Sequence, residues 1–303
     1  MKTSSYATMA LLGTVLLWSF MVVVAKGIVA VVDPITVLFF RLLVAALCFL
    51  PFFIKNHTWT KPHFNKLVII SLGATVNLTF FILGIKHTTA SASQIIYSAM
   101  PILVLIIGIY FKKERQSLKK ITGVIIGFIG LLLIGFLSSV EKGETITGSL
   151  VGNLLIMIAM LGWTSYLLYS KSLSEHFQPI EMGSTSILVS FLVSAMLFAI
   201  NQSVSSASMI IDLPLVSAAL FMGFAGTFLT YILYQYAIHH SSTLKVSMTS
   251  YIQPITTAFL AILFIGEKLT FHFLLGSILV LVGVFLSSSA SINLAKKVLF
   301  FRE

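Results

Sequence analysis

The sequence predicts an all-α integral membrane protein with ten transmembrane helices in two inverted five-helix repeats. Three observations lead to this fold class. The chain of 303 residues is 58% hydrophobic and 9% charged, with a mean hydropathy of +1.04, whereas about a quarter of the residues of a soluble domain are charged. Ten apolar runs each have roughly the 20 residues that a helix needs to cross a bilayer. Several residues also recur at fixed distances along the chain.

We number the ten apolar runs as spans 1 to 10. A bilayer offers no partners for open backbone groups, so each run must form a helix that satisfies its own N–H and C=O groups. Span 1 is longer than the core of a signal peptide, and we therefore expect it to stay in the protein. The spans cover residues 7–25, 34–54, 67–85, 90–111, 118–137, 150–169, 179–200, 215–237, 246–265 and 271–289.

Lysine and arginine between the spans predict the orientation, because cytoplasmic loops carry an excess of both. With the N-terminus inside, the cytoplasmic side holds 14 of these residues and the outer side holds 4. We therefore expect a multi-pass protein of the cytoplasmic membrane with both termini in the cytoplasm. The basic residues are dispersed over loops and do not form one stripe, so the net charge of +10 predicts contact with lipid headgroups and no nucleic-acid partner.

The second half of the chain repeats the first. Landmarks of spans 1 and 2 recur 145 positions later and those of spans 4 and 5 recur 153 positions later, so the second half carries eight additional residues, which we assign to the polar loop at 201–212. Because five spans are an odd number, the second copy enters the membrane from the opposite side. We expect the first repeat at 1–140, the second at 145–291 and a basic cytoplasmic tail at 292–303. The matched pairs are Trp18/Trp163, Lys26/Lys171, Pro34/Pro179, Pro101/Pro254, Glu114/Glu267, Gly123/Gly276 and Gly130/Gly283.

These landmarks resemble the EamA type of the drug/metabolite transporter (DMT) superfamily, and the resemblance covers nearly the whole chain. It implies a central cavity lined mainly by spans 1, 3, 4, 6, 8 and 9, transport of small metabolites, often amino acids, and no enzymatic reaction. One position departs from the repeat, because Ser186 stands where the second half would match Arg41. The resemblance rests on Trp18-Ser19 with Lys26, Pro34 followed by Arg41, Pro101 with the Glu114-Arg115 loop, and Gly123 to Gly130.

Arg41 is the residue that costs most to place in a membrane. It lies about two turns inside span 2, where a permanent charge costs about 2.5–3.5 kcal/mol on insertion scales. It could hold an anionic group of the substrate or a carboxylate of a gate. It could equally be structural, and bond helix-end carbonyls or extend towards the membrane surface. The sequence leaves both interpretations open.

Spans 4 and 9 each place polar side chains and a proline on one helix face. A proline frees the carbonyl one turn earlier, which a cavity, a water or a neighbouring hydroxyl must then satisfy. We therefore expect both helices to kink and to border the cavity, although a single hydroxyl can also simply connect two helices. The candidates are Gln94, Tyr97, Ser98 and Pro101 in span 4, and Ser247, Tyr251 and Pro254 in span 9.

Further candidates for the cavity wall lie near the middle of spans 1, 3, 6 and 8. Trp18 and Trp163 are far from the interfacial belt where membrane tryptophans concentrate. They suit a cavity wall or a gate, and packing inside the bundle explains each one about as well. Span 8 carries polar residues at intervals of four, which is one helix face. These candidate substrate-binding residues are Trp18, Asn77, Trp163, Tyr166, Tyr231 and Gln235.

The glycines of spans 5 and 10 predict a close-packing surface. Gly123, Gly127 and Gly130 in span 5, with Gly276 and Gly283 in span 10, are spaced about one turn apart and let helix backbones approach. We expect them between spans 5 and 10 or between two copies of the chain, which would form a homodimer.

Several kinds of chemistry are missing from the pattern. No Asp or Glu lies well inside a predicted span, whereas proton-coupled pumps usually keep a carboxylate at that depth. We therefore expect facilitated or weakly coupled transport, and poor transport of lipophilic cations. Cys48 is the single cysteine, so no intramolecular disulfide can form. Catalytic residues, metals and cofactors are not expected, because no nucleophile has a base at usable spacing.

The function that we expect is a membrane permease for small metabolites, specifically an exporter of amino acids or related zwitterions and anions that works by alternating access. Arg41, with Lys26 and Lys171 nearer the span ends, would favour a ligand that carries a carboxylate. Two alternatives stay open. One is a multidrug or cation efflux carrier, and the other is a membrane component that binds a ligand without moving it.

Overall fold

The computed structural model forms helices in all ten predicted spans. It describes residues 2–88, 90–110, 113, 116–133, 149–204, 212–265 and 271–300, and no strand occurs among these. The loop residues Glu114, Arg115, Glu267 and Lys268 lie outside the described residues. In order, the helices are Lys2–Ile28, Pro34–Lys55, Phe64–His87, Ala90–Tyr97 with Met100–Tyr110, Leu118–Leu132, Leu150–Leu173, Pro179–Val204, Leu213–Leu220 continued by Phe221–Leu229 and Thr230–His240, Thr243–Ser247 with Thr249–Ile265, and Phe271–Phe300.

Seven of the described helices are long and apolar enough to cross a membrane, and they are the helices of spans 1, 2, 3, 4, 6, 7 and 8. A shorter apolar segment, Leu274–Ser287, lies in span 10. The chain is therefore an all-helical, multi-pass membrane protein, and the count of ten crossings stays a prediction. The helix of span 10 continues to Phe300 and so includes most of the predicted tail.

Polar residues fix where several helices begin. Asp33 precedes span 2, and its Oδ2 accepts from the backbone N–H of Thr36 at 3.0 Å. At the start of span 8, Asp212 Oδ1 accepts a hydrogen bond from the backbone N–H of Leu215, also at 3.0 Å. Each aspartate is followed by a proline in the first turn, where the missing N–H of proline costs nothing. These caps start the two helices within a few residues of the predicted boundaries.

Contacts between helix ends show that the two halves are inverted. Lys26, near the end of span 1, donates to the Ile85 and Thr88 carbonyls at the end of span 3, at 2.9 and 2.8 Å. Its repeat counterpart Lys171, near the end of span 6, donates to Ile238 O at the end of span 8, at 2.8 Å. Lys245, which follows span 8, donates to Thr8 Oγ1 at the start of span 1.

Lys26 is therefore at one side of the bundle and Lys171 at the other. The chain enters at the start of span 1, and we name the side that holds this start the N-terminal side. Lys171 and Lys245 lie on the N-terminal side, whereas Lys26 lies on the opposite side, 18 residues beyond Thr8 in the same helix. Equivalent lysines on opposite sides are what an inverted repeat requires.

Several spans pack against their own repeat counterparts. Span 2 packs along its counterpart span 7, and span 5 packs along its counterpart span 10. Two further contacts form a symmetric pair, because span 3 packs on span 6 and its counterpart span 8 packs on span 1. The glycine prediction for spans 5 and 10 fits this arrangement, since a Cβ on Gly123 or Gly130 would lie 2.6 Å from the carbonyl of Gly283 or Gly276. The homodimer stays a prediction, because the glycine faces are used within the chain.

Three helices depart from regular α-helix in the middle of the bundle. Span 4 is interrupted at Ser98 and Ala99, and span 9 at Met248. Span 8 contains a π-helix at Phe221–Leu229, a rare form that often occurs at functional sites. All three irregularities lie in helices that reach the central cavity.

Candidate functional site

A cavity of about 60 Å³ lies at the centre of the bundle. One buried water needs about 10–15 Å³, so the cavity has room for several water molecules. It is lined by spans 1, 3, 4, 6, 8 and 9 and by one side chain of span 2. The lining residues are Trp18, Met21, Val22, Arg41, Asn77, Leu78, Phe81, Gln94, Tyr97, Met100, Trp163, Tyr231, Thr249, Ser250 and Gln253.

The cavity straddles the axis that relates the two repeats. Four pairs of lining residues are repeat counterparts, separated by 145 positions in spans 1 and 6 and by 153 in the others. In membrane proteins that are built from inverted repeats, ligand sites typically lie at the interface between the two repeats. The four pairs are Trp18/Trp163, Leu78/Tyr231, Tyr97/Ser250 and Met100/Gln253.

The lining is not symmetric beyond these pairs. Met21 and Phe81 line the cavity, whereas their counterparts Tyr166 and Tyr234 do not. Met21 follows Trp18 in span 1 and Phe81 lies in the second half of span 3, so the cavity extends from the tryptophans towards the side opposite the N-terminus.

Arg41 is buried, with 2% of its surface exposed. It lies seven residues after Pro34, which is roughly 10 Å into the membrane at 1.5 Å per residue. Its Nε donates to Thr227 Oγ1 at 2.8 Å, and its Nη1 is buried without a hydrogen-bond partner among the residues that the structure describes. The described residues contain one ion pair, Lys61 with Glu181 at 2.5 Å. Arg41 therefore has no carboxylate partner among them.

Thr227 holds the guanidinium through the π-helix of span 8. Its hydroxyl accepts from Arg41 and donates to Met222 O five residues earlier, at 2.7 Å. The neighbouring Gly223 brings this segment against span 2, since a Cβ there would lie 2.7 Å from Arg41 O. The close approach and the π-turn together direct Thr227 at the base of the Arg41 side chain.

Aromatic rings form the end of the cavity nearest the N-terminal side. The rings of Trp18 and Trp163 meet edge to face with centroids 5.4 Å apart, and Trp163 lies 5.6 Å from Tyr231. Tyr234 packs against both tryptophans, at 5.1 and 4.9 Å. Contacts between aromatic rings add to the energy of burial, so these rings form a well-packed end of the cavity.

The two polar residues of the span 4 wall differ in their contacts. Tyr97 accepts a hydrogen bond from Asn77 Nδ2, which also donates to Ala159 O of span 6 at 3.0 Å. Asn77 thus connects three helices around the cavity. Gln94 is buried, and its Oε1 has no hydrogen-bond partner within the described ranges. Gln94 therefore brings an unsatisfied acceptor to the wall.

Four predicted candidates lie outside the cavity. Tyr166 and Gln235 belong to a buried polar network on the N-terminal side, in which Gln235 Nε2 donates to Tyr166 OH at 2.6 Å. The Ser98 hydroxyl donates to Ile95 O within its own helix. The Tyr251 hydroxyl donates to Val124 O of span 5 at 3.0 Å, and its ring packs on Gly127. These residues connect helices in this conformation. The predicted residues that the structure brings together in the wall are Trp18, Arg41, Asn77, Gln94, Tyr97, Trp163 and Tyr231.

Pro101 and Pro254 do not line the cavity, although each lies in a helix that does. Pro101 is buried two residues after the interruption of span 4, and Pro254 six residues after that of span 9. The carbonyls that they free belong to Tyr97 and Ser250, and both of those residues line the cavity. The prolines therefore disturb the backbone at the depth of the cavity.

Several lining residues were missed by sequence reasoning. Ser250 and Gln253 could have been found, because they are the repeat counterparts of Tyr97 and Met100. The apolar residues carried no polar signal. Thr227 lies on the polar face of span 8 and contacts Arg41 without lining the cavity. The missed lining residues are Met21, Val22, Leu78, Phe81, Met100, Thr249, Ser250 and Gln253.

Comparison with known proteins adds family evidence to this geometry. The profile of the EamA-like transporter family matches residues 5–136 and 150–289, which is most of each half. A solved crystal structure superposes on the chain with a TM-score of 0.76, covering 96% of this chain and 99% of the other at 14% identity. At that identity the likeness shows the fold.

Curated relatives are similar over most of their length. An uncharacterized transporter of Archaeoglobus fulgidus is 25% identical over 90% of this chain and 95% of its own. A WAT1-related protein of Arabidopsis thaliana is 25% identical over 84% of this chain and 82% of its own. A protein of Salmonella typhimurium named a probable amino-acid metabolite efflux pump is 22% identical over 75% and 78%.

Proposed function

The chain belongs to the EamA-like transporter family, and from this premise we propose that it is a permease for small metabolites that carry a carboxylate, with amino acids as the leading class. Membership in the family gives the transport function. The observation that supports the substrate class is the buried Arg41, whose Nη1 has no hydrogen-bond partner among the described residues. A guanidinium presents parallel N–H groups that match a carboxylate.

The wall also offers a place for the ammonium group of an amino acid. Gln94 contributes an unsatisfied amide oxygen, and the rings of Trp18 and Trp163 line the same cavity. A carbonyl oxygen and an aromatic face both attract an ammonium group. A zwitterion bound with its carboxylate at Arg41 and its ammonium group towards Gln94 would satisfy both unpaired groups.

Transport is proposed to follow from the inverted repeat. The two halves rock about the cavity, so that the path to the N-terminal side opens as the opposite side closes. The excess of Lys and Arg near that side, 14 against 4, supports its assignment to the cytoplasm of a cell with the protein in its cytoplasmic membrane. We take the repeats as 1–140 and 145–291.

Export is the proposed direction, and the name of the Salmonella relative supports it. The alternative of a carrier for lipophilic cations is disfavoured by charge. Arg41 is positive, and the cavity lining contains no Asp or Glu among the described residues. A cation would therefore enter a site that repels it.

The test is counterflow into proteoliposomes that contain the purified protein. A panel of radiolabelled L-amino acids is compared with the matching amines, which lack the carboxylate, and with the matching acids, which lack the ammonium group. We expect Arg41→Ala to abolish or strongly reduce flux of the amino acids while membrane insertion is intact. Arg41→Lys keeps the charge and should retain part of the flux.

Two results would contradict the proposal. Equal flux in Arg41→Ala and in the unchanged protein would make Arg41 structural. Faster flux of amines than of amino acids would favour the cation carrier. An untargeted comparison of metabolites inside and outside cells with and without the protein then identifies the substrate and the direction.

A further inference from the structure

The Arg41 guanidinium is a buried positive charge that has no counter-charge in the part of the chain that the structure describes. It is 2% exposed, and the described residues contain a single ion pair, Lys61 with Glu181, which does not include it. Thr227 satisfies only the Nε–H group, at 2.8 Å. A buried ion is costly unless it is paired. A guanidinium keeps its proton in proteins, so the charge cannot be relieved by proton loss.

A second donor without an acceptor lies in the same wall. Tyr231 is 1% exposed, and its hydroxyl has no hydrogen-bond partner among the described residues. The side chains of Tyr231 and Arg41 line the same cavity. Unsatisfied buried donors are rare and call for a partner. Two such donors, one of them charged, require an acceptor that is small and negative.

The size of the cavity limits what this acceptor can be. About 60 Å³ holds several water-sized particles, so a halide ion fits together with water. A single guanidinium charge matches a monovalent anion, whereas phosphate would bring a second negative charge that no group in the described lining neutralises. Chloride is the abundant monovalent anion with these properties.

We propose that the cavity binds chloride at Arg41 Nη1 and the Tyr231 hydroxyl when no substrate is present, and that the substrate carboxylate displaces it. Binding of the halide does not depend on the proposed function. The displacement rests on it, because it requires that the carboxylate occupy the same donors. Chloride would then compete with substrate and stabilise the unloaded transporter.

Halide quenching of tryptophan fluorescence tests the binding step directly. Trp18 and Trp163 line the cavity, and the third tryptophan, Trp59, is 42% exposed and can be removed as Trp59→Phe. The Trp59→Phe protein in nanodiscs of neutral lipid is titrated with sodium iodide at constant ionic strength, with sodium gluconate as the balancing salt. We expect saturable quenching that sodium chloride reverses.

Variants separate a bound halide from collisional quenching. Arg41→Gln should abolish the saturable component, Arg41→Lys should retain it, and Tyr231→Phe should weaken iodide binding about 10-fold, as expected for loss of one hydrogen bond to a charged group. Lys66→Gln removes an exposed lysine as a matched control and should change nothing. If Arg41→Gln does not fold, the weaker iodide binding expected for Tyr231→Phe still tests the halide site.

Quenching that is linear in iodide, or that is unchanged in a folded Arg41→Gln or Tyr231→Phe protein, would overturn the anion site. The displacement step has its own readout. Raising chloride against gluconate on both sides of the liposomes should raise the KM of Arg41-dependent flux in proportion and leave the maximal rate unchanged. A saturable halide site with a chloride-independent KM would overturn the displacement and also count against a carboxylate bound at Arg41.

Discussion

Removing the Thr227 hydroxyl should weaken substrate binding by releasing Arg41. Thr227 is fully buried, and its hydroxyl accepts the hydrogen bond from Arg41 Nε at 2.8 Å. Thr227→Val keeps the shape of the side chain and loses the acceptor. A hydrogen bond to a charged group contributes about 1.5–3 kcal/mol, and 1.4 kcal/mol corresponds to tenfold in an equilibrium constant. If that bond orients the guanidinium for its ligand, KM should rise about 10- to 140-fold.

The assay is initial flux in proteoliposomes with the amino acid that gives the largest Arg41-dependent signal. We expect the increase in KM with a maximal rate within a few-fold of the unchanged protein, because the lost interaction positions Arg41 in the bound state. Thr227→Ser keeps the hydroxyl and should restore KM to near the original value.

A matched control distinguishes positioning from general destabilisation. Thr164 in span 6 is also buried, 2% exposed, and its hydroxyl donates within its own helix to Met160 O at 2.8 Å. Thr164→Val should therefore lower the unfolding temperature by an amount similar to that of other buried Thr→Val changes, with KM unchanged. An unchanged KM in folded Thr227→Val, or an equal increase in Thr164→Val, would refute the positioning role.

Three further outcomes follow from the packing and the charges. Gly123→Ala places a Cβ 2.6 Å from Gly283 O and should cost about 1–3 kcal/mol in a thermal unfolding assay, whereas Gly27→Ala meets nothing within 4 Å and should be neutral. Gly223→Ala places a Cβ 2.7 Å from Arg41 O and should raise KM, by pushing Thr227 away, more than it lowers the maximal rate. A pH gradient should drive little accumulation, because no Asp or Glu of the described residues lines the cavity; strong proton-driven flux that persists in Glu181→Gln would contradict this.

The membrane fold could be read from the sequence because it depends on length and composition. Seven of the described helices are long and apolar enough to cross the bilayer, and helix formation satisfies the backbone groups that lipid leaves without partners. The opposite orientation of the two repeats followed from the odd number of spans in each repeat. The positions of Lys26 and Lys171 on opposite sides of the bundle agree with this orientation. Caps at Asp33 and Asp212 fixed two boundaries through short-range chemistry.

The details of the site could not be read in the same way. The residues that share one face of a helix are predicted from the regular repeat of 3.6 residues per turn. This prediction fails where the helix is interrupted or contains a π-turn, because the repeat changes there. Tyr251 follows three residues after the break at Met248 and packs on Gly127 of span 5. Thr227 reaches Arg41 because the π-turn changes the register of span 8. Tertiary packing decides both features, and one sequence contains no direct signal for either.

The two repeats differ between the cavity and the buried hydroxyl cluster on its N-terminal side, and this difference bears on the proposed rocking motion. On the N-terminal side of the cavity, Tyr166 meets Ser186 at 2.8 Å, and Ser186 meets Ser71 at 3.1 Å. The counterparts of Tyr166 and Ser186 in the other repeat are Met21 and Arg41, which line the cavity.

Separating the hydroxyl contacts exposes groups that water can satisfy, so the net cost of opening this side is small, about 0.5–1.5 kcal/mol for each hydrogen bond. In the rocking motion proposed above, closing the opposite side would bury the apolar side chains of Met21, Leu78 and Phe81, which line the cavity. Such burial is favourable at about 25 cal/mol for each Å², so the proposed motion would have a modest cost on one side and a gain on the other. Replacing Ser186 by Ala would remove a partner of both Tyr166 and Ser71 and should shift the equilibrium towards the conformation that is open to the N-terminal side. Accessibility of a cysteine placed at Ser170, which lies in the same network, would report that shift as faster labelling from the N-terminal side.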